Sequence, residues 1–290
     1  MQRRTFLYTL GAALASPSLA CATSRAGATS ATAASGNRRL QRIGVQLYTL
    51  RDAARANLDG TLGDIAAAGY KYVELLMSNN NFNNPAKVVR VMLEKHGLQS
   101  PSTHIGVSTL DNFDRAVAVA DALGHRYFIL ADLPAEGRRS LATFREWADR
   151  LNRAGEIARK NNLWLAWHDE ADDFKTFDGV QGYDALVEKL DPSLVRLQLD
   201  TGNAMIGGRD PLDLMNRYGD RYYSFHIKDA PGLRAPHDVD LGKGTVDLRG
   251  ILSRVKDINE KYFYVEQETY EGSPLAAVER DYNYLSKLTF

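Results

Sequence analysis

From residue 43 to the C-terminus the chain alternates between two hydrophobic periods. Short apolar runs rich in β-branched and aromatic residues fall at 43–47, 72–75, 98–104, 127–131, 163–168, 195–200, 222–228 and 262–266. Runs of this length and composition predict buried strands. Between them, apolar residues recur at three- and four-residue spacing over 53–68, 85–96, 110–123, 140–161, 183–190, 211–218, 248–258 and 274–288. That spacing predicts amphipathic helices. Several have matching ends: Asp52 as N-cap of the first, Pro85 at the start of the second, and Gly69, Gly97 and Gly124 as stops. Eight strands, each followed by a helix, over about 250 residues predict a single α/β domain, a (β/α)8 barrel. A doubly wound sheet is the alternative. It would need glycines after the first strand to cradle a dinucleotide phosphate. The stretch there reads Gln46-Leu47-Tyr48-Thr49-Leu50-Arg51-Asp52, without any. No Walker sequence is present either.

Composition narrows the picture. The 290 residues carry 36 Lys+Arg against 36 Asp+Glu, a formal net charge of zero. A nucleic-acid binder needs a basic surface, so none is expected. The single cysteine excludes an internal disulfide and a thiolate cage for zinc or iron–sulfur.

The charge is unevenly spread. No Asp or Glu precedes Asp52, whereas Arg3, Arg4, Arg25, Arg38, Arg39, Arg42 and Arg51 all lie in that stretch. Arg3-Arg4-Thr5-Phe6-Leu7, an apolar run to Ala15 and Ser18-Leu19-Ala20 have the three-part form of an export signal over 1–20. The paired arginines resemble a twin-arginine signal, a route for proteins that fold before export. Cys21 follows Ala20 as in a lipobox, which implies a lipidated N-terminus and a membrane anchor. Cleavage near Ala20 or Ala22, giving a free periplasmic protein, is the other reading. Residues 21–38 are small and polar, a flexible tether. The barrel then spans 39–290.

Barrels carry their chemistry at the C-terminal ends of strands. Here those ends hold Gln46 or Tyr48, Glu74, His104, Asp132, His168-Asp169-Glu170, Asp200-Thr201-Gly202-Asn203, His226-Ile227-Lys228-Asp229 and Glu266-Gln267-Glu268. Three of the six histidines stand at strand ends. His168, Asp200, His226 and Glu266 make a set of two imidazoles and two carboxylates. Such donors suit one divalent metal ion, Mn2+, Co2+, Fe2+ or Zn2+. Four protein ligands leave positions for substrate oxygens, where the ion would polarise a carbonyl.

The chain resembles the sugar phosphate isomerase/epimerase-like group of xylose isomerase-type barrels. The matching stretches are Gly44 to Arg51, Gly69 to Leu75, Leu199-Asp200-Thr201-Gly202-Asn203, Phe225-His226-Ile227-Lys228-Asp229, Leu241-Gly242-Lys243-Gly244-Thr245-Val246-Asp247 and Tyr264-Val265-Glu266-Gln267-Glu268. The resemblance implies metal ligands at the last four strand ends, hence His168, Asp200, His226 and Glu266. One stretch departs from the family pattern. Close relatives often read His-Asn-His there, and this chain reads His168-Asp169-Glu170. Strand alternation puts His168 and Glu170 on one side, so either could face the metal. His168 is the favoured ligand, with Glu170 left as base or as a support.

The catalytic candidates near the ion are then Glu74, His104, Glu170 and Lys228. The substrate-binding candidates are Gln46, Tyr48, Asn203, Lys243 and Glu268. Each has a plainer role open to it. Glu74 could pair with a lysine, Asn203 could cap a turn, and Lys243 could belong only to its loop. The expected activity is proton abstraction next to the carbonyl of a carbohydrate or ketosugar. Reprotonation gives isomerisation or epimerisation, and loss of a β-substituent gives a lyase or hydratase acting on 3-keto-glycosides. Export favours an unphosphorylated small carbohydrate as the partner. A carbohydrate-binding lipoprotein without catalysis is the reading from another class.

Overall fold

The computed structural model describes residues 38–290. The expected export signal, most of the expected tether and Cys21 lie outside the described residues. The strands are β1 (Ile43–Gln46), β2 (Tyr72–Leu76), β3 (Ser102–Ile105), β4 (Tyr127–Leu130), β5 (Trp164–His168), β6 (Thr176–Phe177), β7 (Val180–Gln181), β8 (Val195–Asp200), β9 (Tyr222–Ile227) and β10 (Tyr262–Val265). Eight of them close into one barrel in the order β1-β10-β9-β8-β5-β4-β3-β2, every pairing parallel. β6 and β7 form a separate antiparallel hairpin. The (β/α)8 expectation therefore holds, with a hairpin added after β5.

Alternation along the strands sorts the two faces. Val45, Val73, Phe128, Leu165, Leu197, Leu199, Phe225 and Phe263 join the main apolar core, which includes Phe144, Leu151 and Ile251 from the surrounding helices. The barrel interior is more polar: Ser102, Ser224, Gln198, Glu74, His104, His168 and His226 are all buried. Tyr264 joins them, its hydroxyl 2.7 Å from Ser102 Oγ. A Cβ at Gly44 would come within 2.5 Å of the Tyr264 ring, so that close approach requires glycine.

The ends of the helices depart from expectation where local capping intervenes. The helix expected over 53–68 is two, Arg51–Ala56 and Leu58–Ala67. Asn57 breaks it with extended backbone, and its side chain accepts the Gly60 N–H as N-cap of the second helix. The strand expected from residue 98 begins only at Ser102; Gln99 contributes one isolated bridge to Tyr72. A short helix over Thr201–Ile206 was not expected, and Asp200 caps it.

Candidate metal centre and active site

The four C-terminal strand ends bring their donors together. One ligand atom each from His168, Asp200, His226 and Glu266 lies within 4.8 Å of the other three, and all four residues are buried. Their positions follow from register: Asp200 pairs with His226, and His168 pairs with Gln198 two residues before Asp200. Glu266 directly follows β10.

Each ligand candidate is aimed by a second group. The Asp200 Oδ1 accepts the N–H groups of Gly202 (2.9 Å) and Asn203 (2.8 Å), so the helix that it caps fixes the carboxylate. Its buried Oδ2 has no hydrogen-bond partner among the described residues. The nearest charge to that oxygen is the Lys228 ammonium at 3.1 Å. His226 Nε2 lies 2.7 Å from Glu74 Oε1, and Nδ1 lies 2.9 Å from Glu266 Oε2. His168 Nδ1 lies 3.0 Å from Gln198 Oε1, leaving Nε2 toward the cleft. A carbonyl oxygen can only accept, so that contact fixes the proton on Nδ1 and frees Nε2 as a donor lone pair.

The electrostatics agree with the donor chemistry at His168 and Glu266, whereas His226 and Asp200 are drawn toward their protonated forms. Burial, with the His226 and His104 imidazoles, holds His168 well below the ordinary histidine range. It is therefore the neutral imidazole that a metal requires. Burial opposes charge on His226 too, but Glu266 and Glu74 outweigh it and raise the group to about 10. Burial disfavours the Glu266 anion, yet Lys228 and His226 hold it well below the carboxylate range. Lys228 is fully buried; Asp200, Glu266 and Glu268 overcome the desolvation and keep it an ammonium. A permanent cation there suits charge stabilisation better than proton abstraction. Two imidazoles, two carboxylates and a buried Asp200 oxygen that accepts no hydrogen bond fit one divalent ion, held by His168, Asp200, His226 and Glu266.

Two of the donors, His168 and Glu266, line a cleft of about 480 Å³ at the C-terminal end of the barrel; Asp200 and His226 are buried behind them. Tyr48, His104, His168, Glu170, Asn203, Glu266 and Glu268 all line it. Burial in the mouth raises the Glu170 carboxyl; Lys228 works against that rise, and Glu266 and Asp200 add to it. Asn203 Nδ2 donates to Glu170 Oε2 at 3.2 Å, and Glu170 lies 3.8 Å from His168 Nε2. Glu170 thus stands beside the four-donor set, not in it. A larger cavity of about 740 Å³ lies near the opposite end, lined by Arg90, Arg126 and Tyr127 among others. It contains none of the clustered donors, and barrels keep chemistry off that face.

Four of the expected catalytic and substrate-binding residues sit elsewhere, one of them the fully buried Lys228. Gln46 and Glu74 do not line the cleft. Both are fully buried beneath it, joined by a 2.8 Å hydrogen bond from Gln46 Nε2 to Glu74 Oε1. Lys243 is 66% exposed and pairs with Asp240 at 2.7 Å. The reason is Asp229, whose buried carboxylate accepts the N–H groups of Ala230, Gly242, Gly244 and Val246. Gathering that loop onto Asp229 turns Lys243 outward.

Two supports were missed. Gln198 Oε1 also lies 3.0 Å from His104 Nε2, while its amide donates to Glu74 and Ser224. The period-two rule signals it, since Gln198 shares the inward face of β8 with Asp200. Asp169, fully buried, accepts the Asp200 N–H at 2.9 Å.

Comparison with known proteins agrees with this architecture. The xylose isomerase-like TIM barrel family matches residues 62–288. An inosose dehydratase of Geobacillus kaustophilus is 29% identical over 225 residues, 67% of this chain and 70% of that protein. A sugar phosphate isomerase/epimerase from Parabacteroides distasonis superposes with a TM-score of 0.72 at 22% identity, covering 86% of this chain and 96% of the other. The IolI protein, solved with a bound zinc atom, superposes with a TM-score of 0.67 at 17% identity, covering 86% and 99%.

Proposed function

This chain belongs to the xylose isomerase-like TIM barrel family, and we propose that it is a metal-dependent enzyme that removes a proton beside the carbonyl of an unphosphorylated keto-sugar or keto-cyclitol. The observation that carries the reading is the cluster of His168, Asp200, His226 and Glu266 beside a cleft that Glu170 also lines. When bound, a divalent ion supplies Lewis-acid polarisation of the substrate carbonyl. The residues around it divide the remaining work. Lys228 places a buried positive charge beside the oxygen that gains negative charge. Glu170 takes the proton from the adjacent carbon. Asn203, whose amide donates to Glu170, holds that carboxylate in place. Tyr48, His104 and Glu268 line the cleft where the substrate hydroxyls would lie.

Two outcomes follow from the same first step. In dehydration, Glu170 returns the proton to the hydroxyl on the next carbon, which leaves as water as the new double bond forms. One acid–base group on one face suffices for that sequence. The inosose dehydratase relative favours this outcome. Reprotonation at carbon instead gives isomerisation or epimerisation. The unphosphorylated substrate and the periplasmic setting rest on the export-like segment 1–20, with a lipid anchor if Cys21 is modified.

The test is proton exchange in D2O with inosose, the protein being loaded in turn with Mn2+, Co2+, Fe2+ and Zn2+. NMR should show deuterium entering beside the carbonyl, and Asp200→Asn should slow that entry by about 100-fold or more. Exchange that survives the substitution, or that needs no metal, would overturn the assignment.

A further inference from the structure

A second cavity, of about 490 Å³, adjoins the cleft and nearly equals its 480 Å³. One short turn, Met77–Asn79, separates them. Ser78 and Asn79 line the cleft, whereas Met77 and Asn80 line the second cavity. Both residues on the cleft side are exposed, so a ligand could cross the crest of this turn.

The wall beyond the turn is costly to build. Asn80, Asn81, Phe82 and Asn83 are consecutive left-handed residues, with φ of 51°, 45°, 54° and 63°. That region is disfavoured for an ordinary side chain, less so for asparagine. Asn84 holds the run, its amide donating to the carbonyls of Asn81 (3.2 Å) and Phe82 (3.1 Å). The run turns Asn81 inward, where it is 5% exposed and lines the cavity. Its Oδ1 has no hydrogen-bond partner among the described residues. A buried amide oxygen left unpaired is destabilising, so strain is combined here with an unmet acceptor.

The facing wall repeats that chemistry. Ser108, Thr109, Asn112 and Arg115 line it. Among the described residues their side chains make no hydrogen bond or ion pair. No carboxylate lines this cavity. Met77, Pro85 and Val119 supply apolar surface between the polar groups. Paired amide and hydroxyl groups beside small apolar patches match a ring that carries hydroxyls at its edge and C–H bonds on its face.

We propose that this cavity is a subsite for a second polyhydroxylated ring, so that the substrate is a two-ring keto-glycoside. This deepens the proposed function and rests on it for the position of the reacting ring. The subsite itself is read from binding, with no turnover needed.

The intact chain is titrated by NMR with inositol and with a panel of glucose disaccharides spanning α- and β-linkages. At least one disaccharide should bind about 10-fold more tightly than inositol and shift the side-chain amides of Asn81 and Asn112. The double variant Asn112→Ala/Arg115→Ala alters only exposed positions. It should lose that advantage while inositol binding stays unchanged. If no disaccharide outbinds inositol, or if the variant keeps the preference, the subsite is wrong. Deuterium exchange into inosose tests the reacting site and uses no residue of this cavity. Exchange without a disaccharide preference therefore removes the subsite alone. A preference without exchange leaves the subsite standing and removes the catalytic reading.

Discussion

Glu74 lies beneath the cleft, yet five polar side chains converge on it. Gln46, Ser102 and Gln198 donate to its oxygens, and His104 and His226 approach Oε1 at 3.1 and 2.7 Å. Burial alone would raise its pKa; the His104 and His226 imidazoles reverse that and hold it below the usual carboxylate range. A carboxylate on one imidazole nitrogen raises the basicity of the other, and so tightens a metal bound there. Glu74→Gln should therefore weaken divalent-metal affinity by about 10- to 100-fold, measured by calorimetric titration. An unchanged affinity would remove Glu74 from this role. The strand-end rule found Glu74 from the sequence but could not tell a cleft residue from one a layer deeper. That distinction depends on the register between β1 and β2, which pairs Gln46 with Glu74. Lys243 eluded the sequence for a different reason. Its direction is set by Asp229, fourteen positions earlier, and no local pattern carries that contact.

Elements were legible where their signals are local. The eight barrel strands follow from apolar runs, and helix 86–96 ends at Gly97 in the left-handed conformation that the glycine stop implies. The break at Asn57 was masked because residues on both sides of it share one apolar face. The β6–β7 hairpin had a readable mark: Asp178-Gly179 at its turn, with φ of 49° and 82°. Its strands are only two residues each, too short for periodicity to register. A joint between elements carries a pH response. His125 lies between the Gly124 stop and β4, with Nδ1 2.6 Å from the Ser100 carbonyl and a buried, unpaired Nε2. Burial lowers its pKa to about 4, against the pull of the Ser100 carbonyl. In the unfolded chain histidine takes its proton near about 6.5. The unfolded state therefore binds more protons between those values, and stability falls as pH falls from about 6.5 to 4. The full loss is roughly 3 kcal/mol. Urea unfolding at pH 7 and pH 4.5 should show this slope in the wild type and a flatter one in His125→Gln. Equal slopes would mean that the joint does not hold a neutral imidazole.

Across the whole molecule, the proposed ligands come from β5, β8, β9 and the end of β10, so one ion would tie together half of the closed barrel. The site does not depend on that ion for its shape. Asp200 is fixed by the helix that it caps, His226 by Glu74, and His168 by Gln198. A Cβ at Gly202 would lie 2.5 Å from Lys228 Cγ, so glycine there lets the ammonium reach Asp200 and Glu266. That buried cation offsets part of the carboxylate repulsion before any metal arrives. Two consequences differ from those of a domain folded by its metal. The chelated protein should keep its far-UV circular dichroism at 25 °C, because the apolar core between strands and helices is independent of the site. Its melting temperature should nevertheless fall, because an ion that binds only the folded state stabilises it by about 4 kcal/mol at 1,000 times its Kd. For a domain of this size that is on the order of 10 °C. Thermal melts with chelator and across a metal series read the shift directly, and Asp200→Asn should abolish it. A melting temperature indifferent to metal would leave the four donors as a structural network around Lys228. Unfolding at 25 °C on chelation would show instead that the supporting hydrogen bonds do not hold the barrel end without the ion.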